Sequence, residues 1–172
     1  MTNPDLGHWP PGGDGFRRSE VSALIGVGEQ VWDHAAAQVL RWGVKTASGF
    51  TVSSTAVVKP GARVEVTARL FGISVLEPVE VVAVVQELER VGFSYRTLPG
   101  HPVHGEEAFV VSRHGDEVRL TVRSLTRAAP QRPWRALFPL LLVVQRIVRR
   151  RYLRALRQKP PTGPGNPSLG GR

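Results

Sequence analysis

The chain has no cysteine among its 172 residues, and that one absence excludes several classes of protein. A disulfide scaffold, a thiolate metal site, an iron–sulfur centre and a cysteine nucleophile all need the thiol. Acidic residues are missing from the C-terminal third: Val118 to Arg172 holds 13 Lys and Arg and no Asp or Glu. Long apolar runs are missing too. The longest, Leu137 to Val144, is eight residues, against the ~20 that a membrane-spanning helix needs. Met1 to Gly15 is rich in Pro, Gly and Asp and lacks the apolar h-region of a signal peptide. These absences lead us to expect a cytoplasmic protein. A domain of this length buries roughly 70% of its unfolded surface, so no metal, disulfide or cofactor is expected to hold it together.

What is present is unevenly distributed. Up to Glu117 the chain carries 10 Lys and Arg against 14 Asp and Glu, a net of −4; beyond it the net is +13, for a total of +9. Such asymmetry suggests a polyanionic partner, either a membrane surface met peripherally or nucleic acid. A basic helix that only keeps the protein soluble would give the same pattern. Three stretches are expected: a flexible segment 1–15, a single domain 16–158 and a disordered tail 159–172, whose Pro, Gly and Ser bury too little to offset ordering entropy.

Within the domain, Ser22 to Val27 reads as a strand. Glu29 to Trp42 reads as a helix with Val31, Ala35, Val39 and Trp42 on one face and Gly43 as its stop. A series of strands follows over Phe50–Val58, Arg63–Phe71, Val75–Gln86, Gly92–Leu98, Glu106–Ser112 and Glu117–Arg127. The period then changes. Leu137, Leu141, Val144, Val148, Tyr152 and Ala155 make one stripe of a helix of roughly 25 residues, about Pro133 to Arg157, with Pro139 as a possible kink. The class is α+β: six to seven antiparallel strands curved around a long C-terminal helix, with one shorter N-terminal helix. A curved sheet touches a straight helix only along a line, which leaves space for a cavity.

This element order resembles the helix-grip architecture of the START, Bet v 1 and polyketide-cyclase-like superfamily. Locally, Gly92-Phe93-Ser94-Tyr95-Arg96-Thr97-Leu98-Pro99-Gly100-His101-Pro102, Gly105-Glu106-Glu107-Ala108-Phe109 and Arg150-Arg151-Tyr152-Leu153-Arg154-Ala155-Leu156 resemble the domain-of-unknown-function 1990 family. Phe16-Arg17-Arg18 and Trp42 fit it as well. The resemblance covers about Pro10 to Gln158. By analogy of fold alone it implies a lipid-like or otherwise apolar ligand.

The expected function is therefore binding of an apolar or amphipathic small molecule between sheet and helix. Candidate lining residues are Phe93, Tyr95 and Thr97 on one strand face, Leu120 and Val122 on another, and Val144 on the helix. The alternative is a cyclase- or isomerase-like enzyme, with Tyr95 orienting an oxygen and His101, Glu106 or Glu107 moving a proton. Adjacent on a strand, Glu106 and Glu107 point to opposite faces, so only one looks inward. A structural role, in which His101 and the inward carboxylate brace a stiff Pro99–Pro102 turn, fits the same residues. His101-x-x-His104-x-Glu106-Glu107 has no known metal spacing, so no metal is expected. Gly26-Val27-Gly28 lacks the rest of a phosphate loop.

Arg146, Arg149, Arg150, Arg154 and Arg157, with Arg151 beside them, are expected to form a solvated band facing an anionic surface. Trp134 next to Arg132 and Arg135 suits either a membrane interface or a stacked base. Nucleic-acid binding through this helix is the third reading.

Overall fold

A computed structural model describes residues 1–12, 15–70, 73–130 and 134–157. The tail expected at 159–172 lies outside them, as do Phe71, Arg132 and Pro133. Seven strands form one antiparallel sheet: β1 (Arg17–Val27), β2 (Thr51–Val52), β3 (Arg63–Leu70), β4 (Ile73–Glu87), β5 (Arg90–Thr97), β6 (Val103–His114) and β7 (Glu117–Ala128). Their order is β1-β7-β6-β5-β4-β3-β2. From β3 to β7 this is a meander, and β1 crosses over to close the other edge on β7. Three helices complete the chain: α1 (Glu29–Val39), α2 (Gly43–Ala47) and α3 (Trp134–Ala155).

Strand alternation sets the layers. Val64 and Val66, Val79 and Val81, Phe93 and Tyr95, Phe109 and Val111, and Leu120 and Val122 are buried together on the concave face. The sheet curves where side chains are missing. A Cβ on Gly92 would lie 2.3 Å from the Phe109 carbonyl oxygen, and one on Gly105 would lie 1.8 Å from that of Leu125. Neighbouring backbone occupies the space, so only glycine fits either position.

Two local expectations change. The first helix does not continue to Trp42. It ends at Val39, Trp42 takes a left-handed conformation (φ 62°), and Gly43 opens α2 instead of stopping α1. The strained backbone is offset by packing: the Trp42 ring is buried and meets Phe93 edge-on at 4.8 Å. The strand expected over Phe50–Val58 shrinks to two residues. Ser53 still bonds Glu65 of β3 through its backbone N–H and its hydroxyl, and the pairing ends at Ser54, whose hydroxyl accepts the backbone N–H of Ala56 in a local turn.

The N-terminal segment packs on the convex face. Arg123, buried at the middle of β7, donates to the carbonyls of Asn3 (2.6 Å) and Gly7 (3.2 Å) and pairs with Glu20 (3.2 Å). Trp9 is buried and the Arg18 guanidinium stacks on its ring at 3.6 Å. Composition shows none of these contacts, because each depends on single residues of a Pro- and Gly-rich segment meeting distant strands.

Helix α3 lies over the concave face and runs through Pro139, which is exposed. Its last turns are seated in the core through Tyr152 and Leu156. Along the rest of the helix Leu137, Leu140, Val143 and Ile147 are exposed, while Leu141, Val144 and Val148 are half-buried.

Candidate functional site

Between α3 and the concave face of the sheet lies a cavity of about 380 Å³. Its mouth is apolar: Ile73 and Val75 from β4 face Leu137, Leu140, Leu141 and Val144 from α3, with Trp134 at the helix start. Its floor is polar. Lys45 on α2 is buried, although it carries a charge, and its Nζ lies 3.3 Å from Glu107 Oε2 and 4.0 Å from Glu77 Oε2. The ammonium is ringed by Phe50, Tyr152, Tyr95 and Phe109, whose ring centres lie 4.8–5.9 Å away. The Tyr95 hydroxyl donates to Glu107 Oε2.

Electrostatics on this floor follow from burial. Desolvation raises the Glu77 pKa, against the pull of Lys45 and with a push from Glu107. Burial, then the nearby Glu107 charge, pushes the Tyr95 hydroxyl well above its ordinary value. The Tyr152 hydroxyl is pushed up for the same reasons in the same order. His101 accepts the Val103 N–H at Nδ1 (3.1 Å) and turns Nε2 toward Glu77 Oε2 at 4.0 Å. Burial, helped by Lys45, lowers its pKa to about 3, so it is a neutral Nε2–H donor at physiological pH.

The raised Glu77 pKa has a measurable consequence. A group with a folded pKa above its unfolded one costs nothing extra while protonated in both states. Stability is lost as pH rises through the folded value. Glu77→Gln removes that loss, so its melting temperature should match the unmodified protein near about pH 4 and exceed it near about pH 8. A pH-independent difference would show that Glu77 is not the group responsible.

Of the residues singled out from sequence as ligand-binding or catalytic, Tyr95, Thr97, His101, Glu106, Glu107 and Val144 border this cavity, Glu106 with its carboxylate turned to the other face. Glu107 is the inward carboxylate. The Glu106 carboxylate is on the convex side, where it accepts the backbone N–H of Thr2 at 2.7 Å. It cannot share a reaction with Tyr95. Phe93, Leu120 and Val122 are on the concave face but packed solid in the core, away from the cavity. They belong to the same buried cluster as Trp32, Ala35 and Val39 of α1 and Tyr152 of α3. His104 is stacked near Phe16 at 5.7 Å and does not converge with His101.

The arginine band divides. Arg146, Arg150, Arg151, Arg154 and Arg157 are exposed. Arg149 leaves the band: it lines the cavity and donates to Ser124 Oγ at 2.8 Å. It shares a helix stripe with Tyr152, three residues on, rather than with the solvated side.

Lys45, Glu77 and Gln145 were missed. Glu77 was legible, since Val75, Glu77, Val79 and Val81 occupy one strand phase and a carboxylate there breaks an otherwise apolar series. Lys45 had no signal, because an isolated lysine just past an expected helix stop is ordinarily at the surface.

A seven-stranded antiparallel sheet wrapped on a long C-terminal helix, with two short helices closing one end, is the helix-grip, Bet v 1-like fold. Solved structures share it. One is a hypothetical protein from Helicobacter pylori (TM-score 0.59, 18% identity, 91% of this chain and 97% of that one). Another is an aromatase/cyclase from Streptomyces sp. R1128 (TM-score 0.53, 16% identity, 82% and 91%). The chain itself belongs to the family described as Domain of unknown function (DUF1990), which matches residues 2–155. It is 35% identical to a UPF0548 protein of Deinococcus radiodurans, over 83% of this chain and 78% of that one. No helix among the described residues is long and apolar enough to cross a membrane.

Proposed function

We propose that this protein binds an amphipathic small molecule in the sheet–helix cavity, with its apolar body under α3 and its polar head at the Lys45 floor. One observation carries the reading: the space has an apolar mouth and a hydrogen-bonding floor. A volume of about 380 Å³ lies within the ~300–1,000 Å³ typical of small-molecule sites. A side-chain-filled core would have neither the space nor the buried charges. The fold shared with an aromatase/cyclase supports the reading only as an architecture suited to such a cavity.

The cyclase-like alternative has less support. His101 is held neutral with Nδ1 already bonded, so it is a hydrogen-bond donor and a poor base. Glu106 faces away. A proton-transfer role would fall to Glu77, whose raised pKa suits it. Turnover lost in Glu77→Gln but kept in Glu106→Gln would favour that reading.

The binding proposal is tested by filling the space. Val144→Trp should abolish uptake of lipid-like species, read by native mass spectrometry, with a stability change below about 1 kcal/mol because the ring enters a void. Leu120→Trp is the control. Leu120 is fully buried in packed core, so the added ring should cost about 1–3 kcal/mol while a folded fraction still binds. If no species from any lipid extract binds the unmodified protein, the proposal fails.

A further inference from the structure

Two of the polar side chains on the cavity wall are not accounted for by the Lys45 cluster. Arg149 reaches inward from α3, yet among the described residues its one hydrogen-bond partner is the neutral Ser124 hydroxyl and it makes no ion pair. A guanidinium has five N–H donors in a planar fork, so most of its bonding capacity remains for whatever enters. Gln145, four residues earlier on the same helix stripe, also lines the cavity, and its buried Oε1 has no donor. Buried polar atoms in native proteins are almost always paired. Two incompletely paired groups one helical turn apart, both at the cavity wall, therefore mark where a ligand's polar atoms belong.

The charges decide which atoms. Lys45 is already committed to Glu107 and lies beside Glu77, and Glu107 also receives the Tyr95 hydroxyl. Both carboxylates thus have a cation or a donor of their own, whereas Arg149 is hydrogen-bonded to the Ser124 hydroxyl and feels the Glu107 charge only through space, without an ion pair among the described residues. A ligand ammonium would compete with Lys45 for occupied carboxylates and would meet Arg149 with like charge. A ligand alcohol would leave the fork mostly unfilled. A ligand carboxylate matches it in shape and charge, since Arg–carboxylate pairs form two parallel N–H···O bonds. Rotation of the Gln145 amide about its last bond then presents an N–H to the same carboxylate, or its oxygen to a ligand hydroxyl nearby.

We infer that the cavity selects amphipathic carboxylic acids, with Arg149 as the anion anchor and Gln145 as the second polar contact. The inference rests on the binding reading above and adds the chemical class of the head group. It also explains why one arginine of a basic helix faces inward among Leu141, Val144 and Val148. The other arginines serve solubility or surface contact, and this one serves the cavity.

Decanoate, decanol and decylamine share one chain and differ only in head group, so they isolate the effect. Titration calorimetry on the full chain at pH 7.5 should rank decanoate at least about tenfold tighter than decanol, with decylamine weakest; charge-assisted hydrogen bonds are roughly twice as strong as neutral ones. Arg149→Met should abolish that preference and leave decanol affinity within about twofold. Arg149→Lys should keep part of it, as a point charge without the fork. Circular dichroism melting checks that each variant is folded. Decanol binding as tightly as decanoate, or decylamine binding best, overturns the inference and leaves the cavity reading standing. If Arg149→Met weakens acid and alcohol equally, Arg149 shapes the wall and the inference falls. If none of the three probes binds, the inference falls, and the binding reading stands or falls by the lipid-extract measurement above.

Discussion

Lys45→Met is expected to destabilise the protein by about 3 kcal/mol near neutral pH, the cost of removing one partner from a buried ion pair. Lys45 is buried, and the carboxylates of Glu107 and Glu77 reach it at 3.3 and 4.0 Å from positions that are 17% exposed. Methionine keeps the length and the contacts with Phe50 and Tyr152, so lost packing contributes little. What remains is two largely buried carboxylates among aromatic rings with no cation between them. Two further measurements separate this account from general damage. The double variant Lys45→Met/Glu107→Gln removes one charge of each sign and should recover most of the loss, because a pair removed together costs far less than a pair broken. The loss in Lys45→Met should also shrink as pH falls, since protonation discharges the orphaned carboxylates. An equal loss at all pH values, with no recovery in the double variant, would mean that Lys45 acts through packing alone.

Gly105→Ala should be more damaging still, costing upwards of about 3 kcal/mol and at the far end of single-site effects. The added methyl would lie 1.8 Å from the Leu125 carbonyl oxygen and 3.2 Å from the Thr126 Cα. The obstruction is backbone of the paired strand, so no side-chain rotation relieves it, and β6 and β7 would have to separate at the point where they line the cavity. Gly92→Ala, at 2.3 Å from the Phe109 carbonyl oxygen, should behave alike. Gly115→Ala tests whether position matters: nothing lies within 4 Å of its Cβ, and only its positive φ of 57° is unfavourable, worth about 1 kcal/mol. Chemical denaturation would rank the three. Equal effects at Gly105 and Gly115 would show that the close strand approach is not what requires glycine.

These two predictions concern residues of opposite legibility. Gly105 stands beside Glu106-Glu107 in a segment already singled out, and a glycine within a strand signals a bend or a close approach. Lys45 sits in α2, a five-residue helix that begins at Gly43, where the sequence pattern predicts the first helix to stop and no second one to start. Helix propensity favours continuing α1 through Trp42, and the tertiary contact of Trp42 with Phe93 overrides it. Once the chain turns there, Lys45 is carried over the sheet instead of into solvent. A local contest between propensity and packing thus placed the cavity's cation.

The amino-acid pattern by itself determined the strand series, the long C-terminal helix, the concave apolar face and the rule that only one of Glu106 and Glu107 points inward. All of these follow from periodicities of 2 and 3.6, which are properties of the local chain. Only the tertiary structure decided that Glu107 was the inward one, because the phase of β6 is set by its pairing with β5, where Glu107 lies opposite Tyr95. Only the tertiary structure separated Leu120, packed in core, from Val144, open to the cavity, though both are apolar and correctly phased. Phase says which way a side chain points, while the packing of α3 on the sheet decides whether anything is there to meet it. The same packing makes Arg149 the single arginine of that basic band that lines the cavity among the described residues.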